Sequence, residues 1–400
     1  MGFFSTSSWS AKNSTPTLPQ CGSCGLSRKC FTPRMPVTGK GRNGVLVVAE
    51  APGQMEDQRG EQLIGDAGQL LRKLMREVGT DLEDCWKTNA VICRPPKNEI
   101  EDVYIDACRP NLVRTIRELK PKVIILLGGS SVQSLISTEW DRSVGGISRW
   151  AGWTIPSPTY NAWVCPTYHP SYVMRMDEDP VLVRMTKDHL KKALSLARQE
   201  PRPLSLDRLR ANVECVLDPS VVRERLRDLG QRSGFLAFDY ETNMLKPDRP
   251  DARIVCCSFC TDGETAWAGM MGPRELKLLS AVLRNEGLRK IGSNIKFENR
   301  WTMARLGHPV ANWWYDTMLG AHVMDNRPEI TSVKFQAYVL LGVPDYESSL
   351  GGLLKVKGSN KQNRIDEIHP KDLLLYCGID SLVEYKVAMA QRQLMGLPID

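Results

Sequence analysis

Two short, uninterrupted apolar runs, each breaking off into a loop, constrain the fold of the first half more than any other feature. Val45-Leu-Val-Val-Ala49 ends in Glu50-Ala-Pro-Gly53, and residues 121–129, PKVIILLGG, end in a glycine turn. Runs of this length without polar alternation suit strands covered on both faces, the kind found in parallel sheets. A helical pattern lies between them, with Leu70, Leu71, Leu74 and Met75 at helical spacing, and a further helix is expected from about Ser130. Residues 162–166 repeat the strand pattern and lead into Thr167-Tyr-His169-Pro170. Strands alternating with helices imply an α/β domain with a parallel sheet. Its functional loops are expected beyond the carboxyl ends of the strands, where open α/β sheets bind ligands.

At 400 residues the chain is too long for one ordinary domain. Charge and proline mark a boundary in Arg198-Gln-Glu-Pro-Arg-Pro-Leu204. The expected organisation is a flexible N-terminus over 1–16, a first domain over 17–198, a linker over 199–206 and a second domain over 207–400. Residues 212–216 read as a strand. Asp218 caps a helix with Pro219 just inside it, running to about Leu229-Gly230. Residues 235–239 and 253–260 read as buried strands, and the later segments as mostly helical.

The apolar fraction of 42% and charged fraction of 25% are those of a globular chain. The net charge of +7 fits a nucleic-acid partner without requiring one. No apolar run approaches the length of a membrane span, and the start lacks the basic and apolar regions of a secretory signal. A cytoplasmic location is expected, the host's if the chain is viral. Twelve cysteines in such a compartment point to metal or core roles rather than a disulfide framework.

Three separated stretches carry carboxylates inside short patterns: Asp239-Tyr-Glu241, Asn294-Ile-Lys-Phe-Glu298 and Tyr376-Cys-Gly-Ile-Asp380. Asp239 and Glu241 at i and i+2 share one face of a strand. Tyr376 and Asp380 at i and i+4 share one face of a helix. Paired carboxylates repel, and a divalent cation between them relieves the repulsion. Singly, each pattern is usually just solvated surface. In this order they resemble the DEDDy 3′–5′ proofreading exonuclease domain of family A DNA polymerases, over about residues 205–395. Asp316-Thr-Met-Leu resembles the segment between the second and third motifs.

That resemblance implies an RNase H-like fold and single-stranded 3′ ends of DNA as substrate. It implies that Asp239, Glu241, Glu298 and Asp380 hold two divalent cations, Mg2+ or Mn2+, and that Tyr376 with Glu241 orients the attacking water. Glu298 departs from the family, which usually shows Asp there. Cys256, Cys257 and Cys260 look like a metal pair but fall in a buried strand, where free cysteine acts as a small hydrophobe. Only 20 residues follow Asp380, so a polymerase partner is expected as a separate subunit or beyond this segment.

In the first half, Cys21 and Cys24 are followed by distant Cys93 and Cys108. Four thiolates suit either Zn2+ or a 4Fe-4S cluster. The surroundings resemble the iron–sulfur (family 4-like) uracil-DNA glycosylases over about 21–175. The resemblance rests on Ala49-Glu50-Ala51-Pro52-Gly53, on Gly65 and Ala67-Gly68-Gln-Leu-Leu71, on Thr88-Asn89 before Cys93-Arg-Pro-Pro96, and on Thr167-Tyr-His169-Pro170. It implies a 4Fe-4S cluster on Cys21, Cys24, Cys93 and Cys108, with Cys30 an extra thiol at close range. It also implies a flipped-base pocket in which Asn89 reads the base edge and His169 stabilises charge on the departing base. Glu50 and residues 51–53 would line the sugar side. Leu63 stands where that family stacks an aromatic ring on uracil. Two readings therefore stand side by side: an active glycosylase, or a non-catalytic DNA-binding or docking module serving a phage-type polymerase.

Overall fold

A computed structural model of the chain describes residues 23–346, 350–355, 358 and 361–399. Cys21 and the expected flexible segment 1–16 lie outside the described residues. The described residues divide into two compact units, one of residues 23–203 with 339–345, the other of residues 204–338 with those described from 346 to 399.

The first unit is built on a five-stranded sheet of order β2-β1-β3-β5-β4, from β1 (Val45–Ala49), β2 (Trp86–Asn89), β3 (Val123–Leu127), β4 (Ile155–Ser157) and β5 (Ala162–Thr167). All neighbours are parallel except β4, which runs antiparallel to β5 at the edge. Every residue of β1 and β3 is buried, as their unbroken apolar runs anticipate. Helices α1 (Gln54–Arg59), α2 (Asp66–Glu77), α3 (Asp102–Leu119), α4 (Gly129–Ile136), α5 (Pro170–Arg175) and α6 (Pro180–Ser195) complete the α/β arrangement. Leu70, Leu71, Leu74 and Met75 of α2 join Val45, Val47, Val123 and Ile125 in one core.

β2 escapes the apolar-run criterion because its sequence is Trp-Lys-Thr-Asn. Lys87 is wholly buried there, its ammonium 2.6 Å from Glu83. Pairing its charge avoids the large cost of a bare buried ammonium. Register aligns the strand ends: Ala49 lies opposite Asn89, and Leu127 opposite Thr167. The loops that follow β1, β2, β3 and β5 therefore meet at one end of the sheet.

The second unit holds a six-stranded mixed sheet of order β11-β10-β7-β8-β9-β6. Its strands are β6 (Val213–Val216), β7 (Gly234–Thr242), β8 (Ile254–Cys260), β9 (Ala266–Met270), β10 (Leu288–Gly292) and β11 (Trp313–Asp316). β7 pairs in parallel with β10 and antiparallel with β8. Its helices are α7 (Leu206–Ala211), α8 (Pro219–Leu229), α9 (Pro273–Arg284), α10 (Lys296–Leu306), α11 (Thr317–Met324), α12 (Val333–Leu341, of which residues 333–338 belong to this unit) and α13 (Pro370–Leu394). α13 packs against β6, β7, β8, β9 and β10.

Three of these strands, β9, β10 and β11, fall in a stretch expected to be mostly helical. Each has only four or five residues, too few for a period to declare itself, and Arg289 and Lys290 break the apolar pattern of β10. No described helix is long and apolar enough to cross a membrane.

Candidate functional site

In the second unit, β7 carries Asp239 and Glu241 opposite Ser258 and Cys256 of β8. Ligand atoms of Asp239, Glu241 and Cys377 lie within 4.8 Å of one another. Cys377 is the residue after Tyr376 on α13, and Ser258 fixes the helix by donating to the Cys377 carbonyl at 2.7 Å. Asp380, one turn on from Tyr376, is 3% exposed. It accepts from the Lys334 ammonium at 2.7 Å and from the Tyr346 hydroxyl at 2.5 Å. The same ammonium lies 5.1 Å from the centre of the Tyr376 ring. The Tyr346 and Tyr376 rings are 6.1 Å apart.

Glu298, on the first turn of α10, is also 3% exposed, and its Oε2 has no hydrogen-bond partner among the described residues. Asp316 has a different task. It accepts the backbone N–H groups of Asn294 and Ile295 at 3.0 and 3.2 Å and caps α11 through Met318 and Leu319. It thereby holds the loop before Glu298 in place, with Asn294 at a left-handed φ of 63°.

The electrostatics show a site short of positive charge. Burial, and then the Asp380 carboxylate, push the Asp239 carboxyl up to about 7. Burial, and then Asp239, raise Glu241 and Glu298 well above the usual carboxylate range. Lys334 is the cation that opposes these shifts at Asp239 and Glu241. Such a set is a ready receptor for divalent cations, which favour carboxylate oxygens.

A pH dependence follows. Unfolded, Asp239 titrates near about 3.9; folded and without metal it titrates at about 7. The folded state therefore holds a proton that the unfolded state releases. The stability this contributes is fully present below about pH 4 and is lost as pH rises through about 7. Melting of the metal-free protein will show this domain losing stability across that window, and added Mg2+ will reverse the loss. A melting temperature that rises with pH there contradicts the assignment.

Cys256, Cys257 and Cys260 are all buried within β8. Cys256 and Cys257 neighbour each other in the strand, so their side chains point to opposite faces. Sequence reasoning passed over Lys334, Tyr346 and Cys377. Lys334 and Tyr346 belong to a stretch without motif spacing, and Cys377 was visible only as the interior of a motif.

In the first unit the aligned strand ends bring Glu50, Asn89 and His169 to one end of the sheet. Glu50 Oε1 accepts the Ser130 N–H at 3.1 Å, at the start of α4. Gly128, at φ 87°, lets this happen: a Cβ there would lie 2.6 Å from Glu50 Oε1 and 3.0 Å from His169 Cβ. His169 caps α5, its Nδ1 accepting the Ser171 N–H at 3.2 Å. Burial lowers its pKa, with Glu50 opposing. The ring is then neutral near pH 7, and because Nδ1 accepts, its proton resides on Nε2, which is a donor.

Asn89 is 2% exposed and donates to Gln62 Oε1. Gln62, fully buried, donates in turn to the Pro36 carbonyl at 3.1 Å. Gln62 was missed because it lies within the segment read only for its missing aromatic ring. Leu63 beside it is 6% exposed and holds a left-handed φ of 56°. The carboxylate of Glu56 steadies this loop, accepting Ile64 and Gly65 N–H at 2.9 and 2.7 Å. A Cβ on Gly53 would meet the same carboxylate at 2.6 Å. Ala51 and Pro52 lie between Glu50 and Gly53 in the loop that opens α1.

Cys24, Cys93 and Cys108 line a small cavity with Leu26 and Val91. Backbone N–H groups donate to two of these sulfurs, Arg34 to Cys93 at 3.2 Å and Ile92 to Cys108 at 3.3 Å. Cys30 contacts Cys93 through its thiol. Burial pushes the Cys93 thiol up to about 12. Thiols converging on a cavity, with N–H groups already aimed at sulfur, fit an iron–sulfur cluster, whose sulfurs take such hydrogen bonds.

Comparison with known proteins gives each half a counterpart. Residues 36–198 match the uracil DNA glycosylase superfamily, and residues 213–390 match the 3′-5′ exonuclease domain model. The type-4 uracil-DNA glycosylase of Saccharolobus solfataricus is 34% identical over 181 residues, covering 43% of this chain and 79% of that protein. The type-4 enzyme of Pyrobaculum aerophilum is 35% identical over 167 residues, covering 40% and 81%. Among solved structures, Trypanosoma brucei RNase D in complex with RNA U12 aligns at TM-score 0.39 and 12% identity, covering 48% of this chain and 67% of that one. The fold is mixed α/β: a uracil-DNA glycosylase-like domain followed by an RNase H-like exonuclease domain.

Proposed function

The chain belongs, through its first half, to the type-4 uracil-DNA glycosylase family, and from that premise we propose a DNA-processing enzyme with two working domains. The second is a 3′–5′ exonuclease that removes nucleotides from single-stranded 3′ ends in the manner of a proofreading centre. Asp239, Glu241, Glu298 and Asp380 hold two divalent cations, Mg2+ or Mn2+, and Tyr376 with Glu241 orients the attacking water. When bound, such cations activate water and neutralise charge on the leaving 3′ oxygen. The observation that carries this reading is one centre that gathers half-buried Asp239 and Glu241 with buried Glu298 and Asp380, where Lys334 is the nearby cation and Glu298 Oε2 has no partner among the described residues. Burial without compensation is costly, and cations repay it.

In the first domain Cys21, Cys24, Cys93 and Cys108 hold a 4Fe-4S cluster, with Cys30 the adjacent spare thiol. When bound, the cluster supplies positive charge that stabilises the buried thiolates. A flipped base enters beside Glu50, Ala51, Pro52 and Gly53. Asn89, its amide fixed by Gln62, reads the base edge, and the Nε2–H of His169 donates to the base oxygen that becomes negative on departure.

One observation favours a second reading of this domain. Leu63 offers no ring for stacking, an interaction worth roughly 1–3 kcal/mol per base. In that reading the domain binds DNA without excising a base and docks the exonuclease to a replicative DNA polymerase of phage type, the chain acting mainly as an interaction subunit.

Two oligonucleotides test these readings. A 5′-labelled single strand is expected to shorten from its 3′ end in Mg2+ and to persist in EDTA; shortening that begins at the 5′ end refutes the exonuclease reading. A uracil-containing strand at enzyme excess, treated with alkali, breaks at uracil if the domain is a glycosylase. An intact strand selects the docking reading.

A further inference from the structure

Glu384 lies one turn beyond Asp380 on α13, so Tyr376, Asp380 and Glu384 follow one another along a single helix face. The four-carboxylate pattern stops at Asp380, and nothing in it calls for an acid here. Glu384 is nevertheless 3% exposed, and its Oε2 has no hydrogen-bond partner among the described residues. Glu298 has the same exposure and the same orphaned atom. Asp239, Glu298 and Asp380 act against the charge of Glu384, and Lys334 acts in favour of it. The helix face that carries Glu384 is the one that presents Asp380, and α13 packs on β7, which carries Asp239, so Glu384 is turned toward the same centre.

We propose that Glu384 is a fifth carboxylate of the exonuclease centre and that, with Glu298, it holds one of the divalent cations. This rests on the two-cation reading given above. Charge balance argues for it. With Lys334 kept in place, two divalent cations and the ammonium bring five positive charges before substrate arrives. Asp239, Glu241, Glu298 and Asp380 bring four negative ones, and Glu384 supplies the fifth. A buried ionic centre is tolerated when its charges are paired and its lone pairs are used. Coordination by Glu384 and Glu298 gives both orphaned oxygens a partner at once.

The test is manganese binding to the full chain without DNA, read from the electron paramagnetic resonance of free Mn2+. The parent is compared with E384Q, E384M and D239N. Gln and Met both remove the buried charge at nearly constant side-chain size, and whichever melts with the metal-free parent carries the test. The parent is expected to bind two ions. The Glu384 variants are expected to bind one of them roughly tenfold or more weakly, and D239N to weaken binding as well. Parent-like binding in a folded Glu384 variant, alongside impaired binding in D239N, overturns this proposal alone. Parent-like binding in D239N too overturns the two-cation reading beneath it.

Discussion

Replacing Asp239 and Glu241 together by Ala will lower the rate of 3′ nucleotide release from a labelled single strand by about a thousandfold or more, since metal activation supplies several kcal/mol and each 1.36 kcal/mol is tenfold. The expectation comes from where these two residues stand. They share one face of β7, and with Cys377 their ligand atoms fall within 4.8 Å of one another. Asp380 is already engaged by Lys334 and Tyr346, so it does not replace them. The loss will not arise from unfolding. Burial raises both carboxyls in the metal-free protein, with Asp380 adding to it at Asp239 and Asp239 adding to it at Glu241, so removing them relieves the fold, and the metal-free variant will melt at or above the parent. A variant that degrades the strand at the parental rate rules the metal assignment out.

The second large effect belongs to the first domain. Cys93→Ser will abolish the broad brown absorbance of the purified protein and take its iron from about four per chain toward none. Loss of a structural metal site ranks among changes on the order of 4–5 kcal/mol. At about 2–4 °C per kcal/mol for a domain of this size, the melting temperature will drop by roughly 10–20 °C. Cys93 is the informative position because it is buried, lines the cavity and takes the Arg34 N–H. Cys30→Ser is the matched control, expected to keep iron and colour. Colourless parental protein prepared without air and holding zinc overturns the cluster assignment.

The sequence announces those parts of the molecule whose physics is local. The unbroken apolar runs of β1 and β3 declare strands covered on both faces, and Asp218-Pro219 declares the start of α8. Asp239 and Glu241 are legible because a strand period of two leaves both on one face. Lys334 is not legible: it reaches Asp380 across 46 positions of sequence, and only folding creates that pair. Tyr346 and Gln62 are hidden for the same reason, since their partners are distant and their own neighbours carry no pattern. β2 hides differently, its polar residues being buried by paired charge and by the Asn89–Gln62 contact rather than by apolar character. Glu384 is hidden by surplus, as one acid more on a helix looks like solvated surface until its burial is known.

α13 spans 25 residues, lies across five of the six strands of its sheet, and also carries Tyr376, Cys377, Asp380 and Glu384. The chemistry therefore sits on the part of the domain with the most to lose by moving. Opening of this helix is a whole-domain event rather than a loop fluctuation. The centre cannot be tuned by breathing of its own support: a change that loosens it loosens the sheet. Adjustment of the exonuclease must come from side chains that approach from elsewhere, as Lys334 of α12 does.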